Sequence, residues 1–387
     1  MKILFVGSNT QHCPGVLFAL ERLKHQIGLY PKPIENIGIN EEARKELEEF
    51  LKKNKLDFIM SNMFSSSVAE ITNRLGMKYV VWNMDSPAYS TWVPEAAYDN
   101  CYLFYFDYRE YELRRQNGYN NVYYLPLAAD VVKGGQLLIT DDEIRKYACN
   151  MSFVGGLYTQ NIYDDTIERF SVEQQDAFTE IIEKSAFVWD GQERMHIPPE
   201  LVQAVRVTCP EILDRPYEMS DEYLLKTYFL DRKLTHVERT LLIELLAQQY
   251  DIHLYTRKTE RVPEGVRRFP EVDAGTDALK VFYSSKINLN ITLRSIASGI
   301  PARVYDIMSV GGFVMSNWQE EIPELFAEGK EIVTYKTPEE LVDKAEYYLR
   351  HDDERIRIGI NGYRKVKEKH TYEQRLEKII STIHGRE

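Results

Sequence analysis

Short, continuously apolar runs alternate with amphipathic stretches along most of the chain. Strand-type runs stand at 2–6, 26–30, 58–61, 79–83, 102–106 and 122–125, and stretches with helical spacing lie between most of them, notably 41–54, 68–75 and 109–117. A strand buried on both faces reads as an unbroken apolar run, and strands separated by helices are parallel and joined by crossovers. Residues 1–146 are therefore predicted to form one Rossmann-like, doubly wound domain, with 141–147 as a short connector. A second sheet begins at 151–156 (MSFVGG). The stretch 163–233 is helical in pattern and holds no strong strand, which predicts a helical insertion over about 160–235 in a second domain spanning 147–370. Alternation then resumes: a helix over 237–249, strands at 252–256, 287–291, 313–315 and 332–335, and helices over 338–350, 353–369 and 372–383. The predicted class is α/β with two doubly wound parallel sheets.

One stretch of the second domain, 286–317, concentrates the signals for chemistry. A strand ending at Ile291 runs into a polar loop, Gly299 loosens the backbone, and Pro301 opens a helix where its missing N–H is harmless. Gly311 and Gly312 end that helix, and a second strand follows at once. A helix N-terminus reached from a strand offers free backbone N–H groups and a partial positive charge, which suits a phosphate. Arg303 and Asp306, three apart, share one face of the helix. A guanidinium there can hold a diphosphate, and a carboxylate one turn on can accept two hydrogen bonds from a ribose diol.

Composition narrows the class. At 387 residues, with 44% hydrophobic and 28% charged positions, the chain is long enough for two domains with a core each. Its 48 basic against 60 acidic residues give a net charge of -12, which argues against a general nucleic-acid binder. Cys13, Cys101, Cys149 and Cys209 are scattered without a C-x-x-C pair, so they predict reduced core thiols rather than a disulfide framework or a zinc site. The N-terminal apolar run is too short for a signal peptide and no later stretch is long enough for a membrane span, so a cytoplasmic location is expected.

The run 299–317 (GIPARVYDIMSVGGFVMSN), followed by 321–335 (EIPELFAEGKEIVTY), resembles the nucleotide-sugar half of GT-B glycosyltransferases. Within them it is most similar to the branch related to the spore-maturation protein CgeB. The likeness continues through 337–341, 353–355, Asn361-Gly362 and 369–372, and a looser one covers 79–87. It implies two domains facing a cleft, a nucleotide-sugar donor on the C-terminal one, an acceptor against the N-terminal one, and a last helix, 371–387, that crosses back to the first domain. It also implies UDP as the leaving group, no cofactor besides the donor substrate, and Asp306 at a ribose-contacting position where relatives often carry Glu. Eight positions earlier, where many relatives have a second Glu, stands Ser298, so retention or inversion stays open.

Other candidate residues follow from position. Arg294 comes after a strand at the end where α/β sheets bind ligands, Arg257-Lys258 follow the strand ending at Thr256, and Gly155-Gly156 end the first strand of the second domain. Gly311 and Gly312 are placed with these donor-binding residues. Asp85, in the turn 82–87 (WNMDSP), and His12, in the first loop, are the candidate general bases for an acceptor hydroxyl. Gly7 starts no G-x-G-x-x-G, which demotes a nicotinamide-dependent oxidoreductase. No Asp-x-Asp occurs, so metal-independent transfer is expected, with a helix dipole and basic side chains stabilising the leaving diphosphate. Two rival roles use the same architecture: a non-catalytic nucleotide- or glycan-binding protein of surface or spore-coat assembly, and a nucleotide-sugar epimerase.

Overall fold

A computed structural model of the chain describes residues 1–7, 14–190, 195–273 and 275–385. They divide into two compact units, the first made of residues 1–128, 216–219 and 371–387 and the second of 129–215 and 220–370. Each is built on a six-stranded, all-parallel sheet.

In the first unit the strands are β1 (Lys2–Phe5), β2 (Gln26–Leu29), β3 (Phe58–Ser61), β4 (Tyr79–Trp82), β5 (Cys101–Tyr105) and β6 (Val122–Tyr124), in the order β2-β1-β3-β4-β5-β6. β3 and β4 are buried at every position because helices cover both faces of the sheet, whereas the edge strand β2 is largely exposed. Leu4, Val6, Ile59, Val68, Val81 and Leu103 form its core with residues of the flanking helices. The last helix, Tyr372–Ile383, belongs to this unit. It packs on the helix Pro14–Arg22, sets the Tyr372 ring edge-on to Trp82 at 5.8 Å, and starts with a capping box at Thr371.

In the second unit the strands are β7 (Cys149–Val154), β8 (Ile252–Thr256), β9 (Arg267–Pro270), β10 (Ser285–Asn290), β11 (Val314–Asn317) and β12 (Val333–Tyr335), in the order β12-β11-β10-β7-β8-β9. The chain therefore builds one side of the sheet from β7 and then jumps back to build the other, so the strand order reverses between β7 and β10. Ligands of open α/β sheets bind at such a switch point, beyond the carboxyl ends of the strands. β9 escapes the sequence pattern because Arg267 and Arg268 sit on an exposed sheet edge, where a strand needs no apolar run. Between β7 and β8 the chain is helical, including Val172–Ser185, Pro199–Thr208 and Asp231–Ala247, with a π-helical turn at Leu225–Leu230.

The change of unit falls at 128/129, earlier than the boundary expected at 146. The reason is packing: the short helix Val131–Gly135 lies on the helix Ala302–Ser309, and Asp141–Tyr147 lies on Asp277–Ser284, so both follow the second sheet. Cys101, Cys149 and Cys209 are buried and free. No helix among the described residues is long and apolar enough to cross a membrane.

Candidate nucleotide site and a buried acidic pocket

The switch point of the second unit holds two arginines, Arg239 buried and Arg303 half-buried. Arg303 stands in the first turn of the helix Ala302–Ser309, whose N-cap is Pro301; no side chain caps that end, so its first amides remain available. The Arg303 guanidinium donates to Asn290 Oδ1 at 2.9 Å and lies 4.9 Å from the centre of the Phe153 ring. Arg239, from the helix Asp231–Ala247, lies 5.3 Å from the same ring and 5.2 Å from Tyr158. It donates to the Ile291 carbonyl at 2.6 Å and 3.0 Å and to the Gly156 carbonyl at 2.6 Å. Neither arginine forms an ion pair within 4 Å among the described residues; their direct hydrogen-bond acceptors are neutral amide oxygens. Burial, reinforced by the charge of Arg239, pushes the Arg303 guanidinium down to about 9. A pair of under-compensated cations at a switch point, beside an uncapped helix start, has the chemistry that suits an anion.

Gly155 is required by this arrangement. Its φ is +151°, and a Cβ there would stand 2.5 Å from Arg303 Nη2. Any side chain would displace the guanidinium. Gly156 supplies the carbonyl that orients Arg239. Gly155 thus makes room for Arg303 and Gly156 orients Arg239, while Asp306 stands one turn further along the Arg303 helix. The Asp306 carboxyl has no hydrogen-bond or ion-pair partner among the described residues. Burial pushes it up to about 7; Asp130 adds to the rise, and Arg303 and Lys133 oppose it. A half-buried acceptor left without a donor is suited to ligand hydroxyls.

The remaining donor-side candidates are set elsewhere. Arg294 is a structural tie: its Nε contacts both carboxylate oxygens of Glu238 at 2.9 Å and 3.0 Å, and its terminal nitrogens donate to the carbonyls of Val188 and Ser185 at 2.8 Å each. With these donors committed to fixing the insertion to the sheet, it has little left for a phosphate. Arg257 and Lys258 are exposed, and Arg257 faces Glu271 at 3.7 Å across solvent. Gly311 and Gly312 lie at the amino end of β11, the wrong end for the nucleotide. Gly311 is the left-handed residue that stops the helix (φ +75°), and Gly312 is required by close packing, since a Cβ would come 2.8 Å from the Phe282 carbonyl. Ser298 is buried and donates to the buried Glu321 at 2.7 Å. Sequence reading did not single out Arg239, which belongs to no short motif and is brought to the strand ends only by the fold, or Glu321, which opens the run 321–335 but shows its partner Ser298 only in the structure.

In the first unit, Asp85 is exposed on the loop after β4, next to a cis Ser86–Pro87 bond. His12 lies outside the described residues. Beside the Asp85 loop, and unanticipated, is a buried acidic pair at the carboxyl end of β5. Asp107 accepts from Ser86 Oγ at 2.9 Å and from the Arg109 amide at 3.1 Å, and Glu110 accepts from the Ala88 amide at 2.7 Å. Burial, then the neighbouring Asp107, pushes the Glu110 carboxyl up to about 8. Arg114, fully buried, is clamped between the rings of Trp92 (4.2 Å) and Tyr119 (3.7 Å) and donates to the Thr91 carbonyl. The signal available in sequence was the spacing Asp107, Glu110, Arg114, one face of a helix that would ordinarily be solvated.

Residues 234–381, which contain Arg239, Arg303 and Asp306, match the family model described as "Glycosyl transferase-like". No curated protein sequence matches the chain. Among solved structures, HepE of Anabaena in complex with UDP is similar at 11% identity with a TM-score of 0.54, over 100% of both chains. The same protein in complex with UDP-glucose is similar at 12% and 0.55, again over 100% of both chains. Sucrose-phosphate synthase of Thermosynechococcus elongatus is similar at 10% and 0.54, over 100% of this chain and 98% of that one. These likenesses show the fold: two Rossmann-like parallel-sheet units of the GT-B type.

Proposed function

We propose that the chain is a glycosyltransferase of the CgeB-like branch, working in the cytoplasm, which takes a UDP-linked sugar at the switch point of the second unit and transfers the sugar to an acceptor hydroxyl. The observation that carries this reading is the pair Arg303 and Arg239 on the Phe153 ring, one half-buried and one buried, with no carboxylate bound to either among the described residues. They face the place where a diphosphate would sit against the amides after Pro301. Asp306 would hold the ribose diol. The UDP preference is supported by the HepE structures, which hold UDP and UDP-glucose.

As the bond between sugar and diphosphate breaks, negative charge accumulates on the leaving phosphate. Arg303 and the helix terminus are fixed in advance and stabilise that charge more than the neutralised ground state. The acceptor loses a proton in the same step, and Asp85 is our candidate to receive it, with His12 as the alternative. Transfer is metal-independent on this reading, which rests on the absence of an Asp-x-Asp pair from the sequence.

The test is calorimetric titration with UDP and UDP-glucose, followed by UDP release from UDP-glucose with and without EDTA. Binding of both and EDTA-resistant release are expected. No binding of any nucleotide sugar would remove the donor reading, and activity abolished by EDTA and restored by Mg²⁺ would remove the metal-independent mechanism.

A further inference from the structure

A cavity of about 280 Å³ opens in the second unit. It lies between the helices Val131–Gly135, Ala302–Ser309 and Asp352–Lys369 and is lined by Gly134, Gly135, Leu137, Tyr283, Gly311 and Tyr363, with Val310 and Ile360 completing its apolar wall. Tyr283 precedes β10 and Gly311 precedes β11, so the cavity sits at the amino ends of these strands. Gly155, Ile291 and Arg303 mark the carboxyl ends. The helix Ala302–Ser309 separates the two places by its own length, about 12 Å at 1.5 Å per residue.

From this cavity we infer a second ligand site, one for a small, neutral, planar ring compound of phenol or indole size. The lining contains no charged side chain, so an ion would be desolvated there without compensation. Two tyrosines supply ring faces for stacking, and neither hydroxyl has a hydrogen-bond partner among the described residues, which leaves a polar handle for one N–H or O–H of the ligand. Its volume, about 280 Å³, is just below the roughly 300–1,000 Å³ of drug-sized pockets, which limits the ligand to one or two fused rings.

The shape is held open by packing that cannot relax. A Cβ on Gly134 would come 2.2 Å from the Ser309 carbonyl oxygen, so the two helices touch backbone to backbone there, while a Cβ on Gly135 would meet only Tyr363 Oη, at 3.7 Å. The first glycine fixes the wall, and the second leaves the space empty. A side chain at 135 therefore fills the cavity without disturbing the seam.

The probe is indole, titrated by calorimetry and by ligand-observed NMR into wild type, Gly135→Leu and Ile360→Trp. Ile360 is 42% exposed, so Ile360→Trp fills the cavity from the other side even if Gly135→Leu fails to fold. Saturable binding to wild type, weakened at least tenfold by either variant and unchanged by saturating UDP or by Arg303→Ala, is the expected result. No saturable binding, equal binding to a folded filled variant, or competition by UDP would overturn the inference. Indole binding intact in a protein that binds no nucleotide sugar would instead count against the donor reading alone.

Discussion

Two sheets of the same width, both wholly parallel, carry opposite chemistry at the same edge. Beyond the carboxyl ends of its strands the second unit gathers Arg303 and Arg239 around Phe153, whereas the first gathers Asp107 and Glu110 beside the Asp85 loop. Burial is the dominant force on the titrating groups in both, and it acts against charge in each: Arg303 is pushed down and Glu110 up. The fold thus chooses where a ligand can bind, and local residues choose which ligand. The cationic edge suits a phosphate. The acidic edge holds one carboxyl, that of Glu110, pushed up to about 8, so it can give or receive a proton near neutral pH.

The largest expected effect is on the cationic edge. Arg303→Ala should lower single-turnover transfer by about 10² to 10³, the loss seen when one preorganised donor to a developing anion is removed, and should weaken UDP-glucose affinity less. A folded variant with wild-type rate and affinity would reduce that edge to scaffold. Next comes Asp306→Ala, which should weaken UDP-glucose binding by about 10- to 150-fold in calorimetry, from hydrogen bonds of about 1.5 to 3 kcal/mol to a charged acceptor, with a smaller change in turnover of bound donor. Equal losses in both variants of both quantities would mean that the two residues do not divide their roles.

The third effect is the pH dependence of donor binding. Asp306, with its carboxyl pushed up to about 7, can accept from both ribose hydroxyls with both of its oxygens, at the strength of a charged acceptor, only when ionised. Affinity for UDP-glucose should therefore be flat well above pH 7 and fall by up to about tenfold per unit below it. Asp306→Asn should bind weakly and without that slope. An unchanged slope in Asp306→Asn would place the titrating group elsewhere.

The smallest effect on donor binding, and the sharpest contrast between the edges, belongs to Glu110→Gln. The change keeps the acceptor for the Ala88 amide but removes the titration. In wild type the folded carboxyl holds its proton up to about 8 while the unfolded one releases it near 4.5, so between those values the native state binds more protons and stability falls as pH rises. The variant should lose that decline in melting temperature and bind UDP-glucose within about twofold of wild type, as expected for a substitution in the unit that does not carry the proposed donor residues. A variant with the wild-type decline would show that Glu110 does not titrate in that window.

Much of the fold was legible in the chain. Eleven of the twelve strands were legible as short strand-type runs, most clearly β3 and β4, which are covered on both faces and have no exposed position to confuse the pattern. The missed β9, an exposed edge with Arg267 and Arg268, carries no such pattern. The local chemistry after Pro301 was equally readable, since Arg303 and Asp306 are close in sequence and share a helix face.

What sequence could not decide is which charges are committed. Arg294 and Arg303 read alike, as arginines following the same strand, yet Glu238, from the helix after the insertion, engages the first and no carboxylate binds the second. Arg239, next to Glu238 in the chain, points instead to the Gly156 and Ile291 carbonyls and becomes the second cation of the site. The two glycine pairs diverge in the same way: Gly155 yields space to a guanidinium, while Gly312 yields it to the Phe282 carbonyl. Periodicity is a property of neighbours along the chain, so it determines strands, helices and their order. Whether a buried charge meets its opposite depends on partners some fifty residues away, and only the packed sheet and its covering helices brought those partners together or kept them apart.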